Sequence, residues 1–180
     1  FKKLGIAIGS PESTVYRYFE NKHKLLLYLT SWYWGWLEYK VAFATANIKS
    51  CEQQLENSIR AICETVEEDQ DFSHINEEKL QKIVISESSK AFLTKEIDSE
   101  NKNGYFQSYK NLVERLEGII SGLNPQYPFP KTLASTLLES NHLQKFFGAH
   151  IPGITDIAHS DEDVIAFFKS MTFSTLNYGS

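Results

Sequence analysis

The sequence predicts an all-α fold. Apolar side chains recur every three or four residues along most of the chain, helix-start residues precede several of these runs, and no segment of any length alternates with the period of a strand. With 180 residues, 42% of them hydrophobic, there is chain enough for one sizeable core or for a small domain attached to a larger one. No run of about 20 apolar residues is present, so a membrane-spanning helix is excluded and a cytoplasmic protein without a membrane partner is expected.

Each element has a local justification. The chain begins helix-like at Phe1-Lys2-Lys3-Leu4-Gly5, without an initiator Met or a targeting pattern, and a domain cut at its start is expected. Ser10-Pro11-Glu12 predicts a helix start, with Ser10 as N-cap, Pro11 at the first helical position and Glu12 in the first turn; this helix runs through Thr14 to Phe19. Asn21 is the next N-cap candidate. It precedes a helix over about residues 22–46 whose apolar pattern is Leu25, Leu29, Trp32, Trp36, Tyr39 and Phe43. Gly35 weakens that helix but allows close packing beside the three tryptophans.

A helix over 51–68 carries Leu55, Ile59, Ile62 and Val66 on one face, and Asp69-Gln70-Asp71 is a polar break. Asn76 caps a helix whose inner face holds Leu80, Ile83 or Val84, and Glu87. Residues 94–104 read as a polar loop ending in Gly104, and 105–122 as a helix using Tyr109, Leu112, Leu116 and Ile119. The prolines at 125, 128 and 130 interrupt the chain, which restarts as a helix over 130–150 until Pro152-Gly153. Ser160-Asp161-Glu162-Asp163 starts the last helix, to about residue 178, with Val164, Phe167, Phe168 and Met171 behind the acidic turn.

Charge divides the chain. The whole carries 18 basic and 23 acidic side chains, a net charge of −5, which argues against a nucleic-acid partner only if it is evenly spread. It is not. Lys2, Lys3, Arg17, Lys22 and Lys24 face only Glu12 and Glu20 in residues 1–24, a surplus of +3, and the remainder carries −8. Cys51 and Cys63 cannot form a disulfide scaffold and fit a reduced intracellular protein.

Residues 1–24 thus describe a helix, a turn containing Gly9 and a second short helix, the helix-turn-helix pattern. The second helix offers Ser13, Thr14, Tyr16, Arg17 and Tyr18 close to Lys22 and Lys24, and hydroxyls, phenols and cations of this kind suit phosphate oxygens. The run from Gly9 to Leu26 resembles the signature of the TetR family of bacterial transcriptional regulators. A Gly opens the turn, Thr14-Val15-Tyr16-Arg17-Tyr18-Phe19 matches the recognition helix, Lys22 stands at the start of the long following helix, and Leu25-Leu26 is the Leu pair. Leu4 and Gly5 match the family's usual Ile-Ala. Ser10 stands where the family is usually apolar, and Pro11 where it often has the capping Ser, which moves the cap to Ser10. Beyond Leu26 only the helix pattern and the chain length resemble the family.

The resemblance implies an all-α protein with a helix-turn-helix DNA-binding domain over 1–45, its first helix expected upstream of Phe1, and a helical effector-binding and dimerisation domain over 46–180. Tyr16, Lys22 and Thr14 would contact phosphates, Ser13 and Arg17 would face bases, Tyr18 would serve DNA contact or packing, and Phe19 would lock the helix to the core. The implied function is a homodimeric, sequence-specific repressor of a double-stranded DNA operator, controlled by an unknown small-molecule effector. An effector pocket would draw on Trp36, Tyr39, Glu87, Phe92 and Tyr109, and a four-helix dimer interface on Leu133, Leu137, Phe146, Phe147, Phe167, Phe168 and Met171; an ordinary core is the alternative for each of these side chains.

Other chemistry is weakly signalled. Glu139-x-x-His142 is a single Glu-x-x-His pair, whereas a di-metal bundle needs two and further carboxylates, so His142, His150 and His159 read as surface or interface histidines. There is no glycine-rich phosphate loop or nucleophile motif, and neither a metal, a cofactor nor catalysis is expected. The competing readings are an all-helical protein–protein interaction module without DNA binding and, more remotely, a small helical enzyme using Glu87.

Overall fold

Two short helices, α1 (Lys2–Ala7) and α2 (Glu12–Tyr18), open the computed structural model, which describes residues 1–65, 76–157 and 160–177. They approach closely because residue 5 is glycine: a Cβ there would lie 2.7 Å from the Ser10 carbonyl oxygen. Gly9 takes a left-handed φ of +64°, the turn that redirects the chain. Pro11, not Ser10, is the N-cap of α2. It keeps an extended ψ of 148°, so the helix begins at Glu12, while the Ser10 N–H is held by the Gly5 carbonyl at 2.9 Å. The helix also stops at Tyr18, one residue short of expectation, and Phe19 is extended.

The body follows as α3 (Lys22–Thr45), α4 (Cys51–Cys63), α5 (Glu77–Phe92), α6 (Ile97–Lys102), α7 (Gln107–Leu123), α8 (Pro130–His150), a 3-10 turn at Pro152–Ile154, and α9 (Asp161–Asn177). Among the described residues there is no strand. Asn21, Ser50 and Asn76 accept backbone N–H bonds at the starts of α3, α4 and α5, and Ser160 does so ahead of α9. Two boundaries differ from the sequence reading. α4 ends at Cys63, because Thr65 turns its N–H and hydroxyl to the Asp161 carboxylate. Residues 97–102 form α6 where a loop is expected, held by Glu100 against α3 as described below. Val66, the break at 69–71, His159 and the last expected helical residue, Tyr178, lie outside the described residues.

α3 is the central element and packs against α4, α5 and α7; α8 and α9 close the bundle from the side of α4 and α7. It buries Leu27, Thr30, Tyr33, Trp34, Leu37, Val41 and Thr45. The apolar pattern read from the sequence is therefore the wrong face: Trp32, Tyr39 and Phe43 are exposed, Phe43 by 75%. The physical reason is that α3 is apolar almost all round, so periodicity alone does not choose a side. The core combines these residues with Leu55, Ile59 and Ile62 of α4, Leu112 and Leu116 of α7, Leu137 of α8 and Phe168 of α9.

Candidate functional site

The front of the molecule is anchored sparingly. Val15 is the buried residue of α2, and around it Ser13, Tyr16, Arg17 and Tyr18 are exposed, Tyr18 by 78%, with Thr14 half-buried. Tyr16 also packs edge-on against Phe1, with ring centroids 4.9 Å apart. Phe19 leaves the helix and packs against Tyr28 of α3 at 5.4 Å, which ties the front to the body. Lys22, the first residue of α3, is exposed, as are Lys2 and Lys3. Of the six front residues singled out from the sequence, Ser13, Tyr16, Arg17, Tyr18 and Lys22 are exposed and Thr14 is half-buried.

Lys24 is different. Its Nζ lies 2.9 Å from Glu100 Oε1, and His23 Nε2 lies 2.8 Å from the same oxygen, which is fully buried beneath them. Burial alone would raise the Glu100 pKa, but the bonds and charges of Lys24 and His23 outweigh it and hold the carboxyl below its usual range. The hydrogen bond to Glu100 in turn raises the Lys24 ammonium. One of the five cations of the front is therefore spent on clasping α6 to the start of α3. Nothing in the sequence distinguishes Glu100 from its polar neighbours.

Deeper in the body lies a buried polar cluster. The Tyr33 hydroxyl and His142 Nε2 are 3.0 Å apart, and the rings of Trp34 lie 5.0 Å from His142 and 4.6 Å from Tyr109. His142 is buried, contrary to a surface reading: it continues the α8 face that carries Leu138, while Tyr33 meets it from α3. Burial lowers its pKa to about 3. Burial also raises the Glu139 carboxyl, partly offset by the Tyr109 hydroxyl, and raises both Tyr33 and Tyr109. His142 Nδ1, Trp34 Nε1 and Glu139 Oε1 have no hydrogen-bond partner there. Burial pushes the Cys63 thiol up to about 12; Cys51 is half-buried, and both are free thiols.

The five residues expected at an effector pocket do not share one cavity. Trp36 and Tyr39 line a groove of about 520 Å³ on the exposed side of α3, together with Tyr28, Trp32, Gly35 and Glu77. Phe92 and Tyr109 line another, of about 570 Å³, beside α6 and α8. Glu87 lines neither; it is half-buried and paired with Lys90 on its own helix. The acid in the aromatic groove is Glu77 instead, only 6% exposed, with Oε2 lacking a hydrogen-bond partner. An acidic residue directly after an Asn cap is ordinary in a sequence, so no local signal marks it. Gly35 is not needed for close packing, since a Cβ there would meet Ser108 at an ordinary 3.5 Å; it forms part of the groove wall.

Of the residues expected at a dimer interface, Leu133, Leu137 and Phe168 belong to the intramolecular core and are not on the surface. They fall on the faces of α8 and α9 that meet the rest of the bundle. Phe167 is exposed, and Phe146, Phe147 and Met171 are half-buried.

Among the described residues no three or more His, Cys, Asp and Glu side chains are grouped to hold a metal ion, and no helix is long and apolar enough to cross a membrane. No protein-family model matches the chain, and no curated protein matches it.

Proposed function

We propose that the chain is a TetR-like, dimeric, sequence-specific DNA-binding regulator, a repressor whose DNA affinity is set by a small-molecule effector. The observation that carries the reading is the α1–α2 unit. A glycine-dependent close turn presents a helix whose one buried residue is Val15, while Ser13, Tyr16, Arg17 and Tyr18 face solvent beside Lys22. Phenols, hydroxyls and cations on one short helix suit a groove lined by phosphates. Two copies related by a two-fold axis would double the contacts and read two half-sites. Of the side chains expected at such a pairing, Phe167 is exposed and Phe146, Phe147 and Met171 are half-buried, and Leu143 of α8 is exposed as well.

Control by an effector acts through α3, which is one uninterrupted helix from Lys22 to the aromatic groove. Trp36 stands about 21 Å along it from Lys22, at 1.5 Å per residue. A ligand seated against Trp36 that fits one tilt of α3 better than another changes the separation of the two recognition helices, and linkage requires DNA to change ligand affinity equally. Selection of bound sequences from a random DNA pool tests the reading: enrichment of a two-fold symmetric site supports it. Failure to bind any DNA at low salt would favour the interaction-module alternative.

A further inference from the structure

The groove on the outer side of α3 has a composition that selects for charge. Tyr28, Trp32, Trp36 and Tyr39 supply aromatic walls, and Glu77, the first residue of α5, supplies a buried acid. Three of those rings, Tyr28, Trp32 and Tyr39, are exposed although they are large and apolar, a cost in water that a folded chain normally avoids by burying them. Glu77 is nine-tenths buried and lines the groove, and among the described residues its Oε2, itself closed to solvent, has no hydrogen-bond partner.

The chemistry of the two features is complementary. Aromatic faces attract cations through their quadrupoles, most strongly when the cation is poorly hydrated, and an anion at the same site adds directional attraction. Trp36 already displays this property towards the chain's own Lys40, whose Nζ lies 5.7 Å from the ring centroid. Lys40 is paired with Glu64 at 3.5 Å and does not hydrogen-bond Glu77. A cation in the groove is attracted by the field of the acid beneath its wall, and an anion is repelled by it. We infer that this groove is a binding site for a small organic cation, of the alkylammonium or aryl-ammonium class, held by the aromatic walls and by Glu77. The size of the groove suits a ligand of several carbon atoms around the charged nitrogen.

The site stands on the groove alone; its role as the effector site rests in addition on the regulator reading. Binding is measured by calorimetry and by tryptophan fluorescence, using benzyltrimethylammonium as probe. Choline and its uncharged isostere 3,3-dimethylbutan-1-ol separate charge from shape. Saturable binding of benzyltrimethylammonium is expected, with choline preferred over the isostere by about tenfold. Glu77→Gln lowers the affinity about tenfold without shifting the unfolding midpoint, and Trp32→Ala lowers it several-fold. If Glu77→Gln disturbs the fold, Trp32→Ala decides, since that side chain is exposed. Absence of saturable binding at millimolar concentrations, equal binding of choline and the isostere, or an affinity unaffected by the variants would overturn the inference. Run beside a DNA titration, the two readings separate: cation binding without DNA binding overturns the regulator alone, and DNA binding without cation binding overturns the groove assignment alone.

Discussion

The front of the chain and the core of its body use aromatic residues in opposite ways. In α2, Tyr16 and Tyr18 stand in solvent around one buried anchor, Val15. In the bundle, Tyr33 and Trp34 are fully buried, and with the mostly buried Tyr109 they surround His142 and Glu139, with polar atoms left unpaired. The first arrangement holds little stability and keeps its side chains available to a partner. The second concentrates stability, and its aromatic and polar groups are committed to one another. Between them α3 belongs to both, starting in the front at Lys22 and carrying the buried cluster further along. What the contrast teaches is that function and stability can be probed separately at residues only a few turns apart.

The largest expected effect falls on the body. Trp34→Ala removes a fully buried indole and is expected to cost about 4 kcal/mol, whereas Tyr18→Ala changes stability by no more than about 0.5 kcal/mol. Denaturant unfolding of both variants checks the contrast; similar losses at the two sites would break it. The clasp between front and body comes next. Glu100→Ala leaves Lys24 and His23 facing an empty buried site and is expected to cost about 3 kcal/mol, reduced to the extent that the partly exposed Lys24 turns to water. The same measurement applies, and an unchanged midpoint would show that α6 is not fastened this way.

The buried histidine gives the body a pH dependence. Its folded pKa is about 3 against an ordinary 6.5, so below 6.5 the unfolded chain takes up a proton that the folded chain refuses. His142 therefore contributes stability that is complete above pH 6.5 and is lost as pH falls towards 3, by at most about 1.4 kcal/mol per pH unit. Glu139, raised by burial, acts in the opposite sense: its contribution falls as pH rises above its ordinary range. Comparing wild type with His142→Gln at each pH isolates the histidine, and parallel curves would contradict its burial in the neutral form. The smallest effect is at Gly35. Gly35→Ala meets only ordinary contact with Ser108 and is expected to stabilise α3 by about 0.8 kcal/mol, seen as a small rise in the unfolding midpoint.

The same contrast governs how much could be read from the sequence. Helix starts at Asn21, Asn76 and Ser160, the turn at Gly9 and the proline breaks are local events, decided by a few neighbouring residues, and they stand where expected. The exposure of Ser13, Tyr16, Arg17 and Tyr18 has the same local origin, since a short helix with one anchor leaves its other side chains in solvent. The face of α3 was not legible, because Leu25 to Tyr39 is apolar on every side and only packing against α4, α5 and α7 chooses. α6, Glu77 and Glu100 depend on partners distant in sequence, and nothing in their own neighbourhoods sets those acids apart. Glu87 has the helical spacing of an inner-face residue, yet it pairs with Lys90 three residues on.

In the proposed regulator, the sparsely anchored front binds DNA through its exposed cations and phenols. Its most direct test is the affinity of the protein for mixed-sequence duplex DNA over a range of salt concentrations, compared with Lys22→Ala. Binding at low salt is expected to fall linearly on a logarithmic plot, with Lys22→Ala weakening operator and mixed DNA alike and reducing the slope by about one unit per subunit. No binding at low salt, or a slope and affinity unchanged by Lys22→Ala on both DNAs, would contradict it.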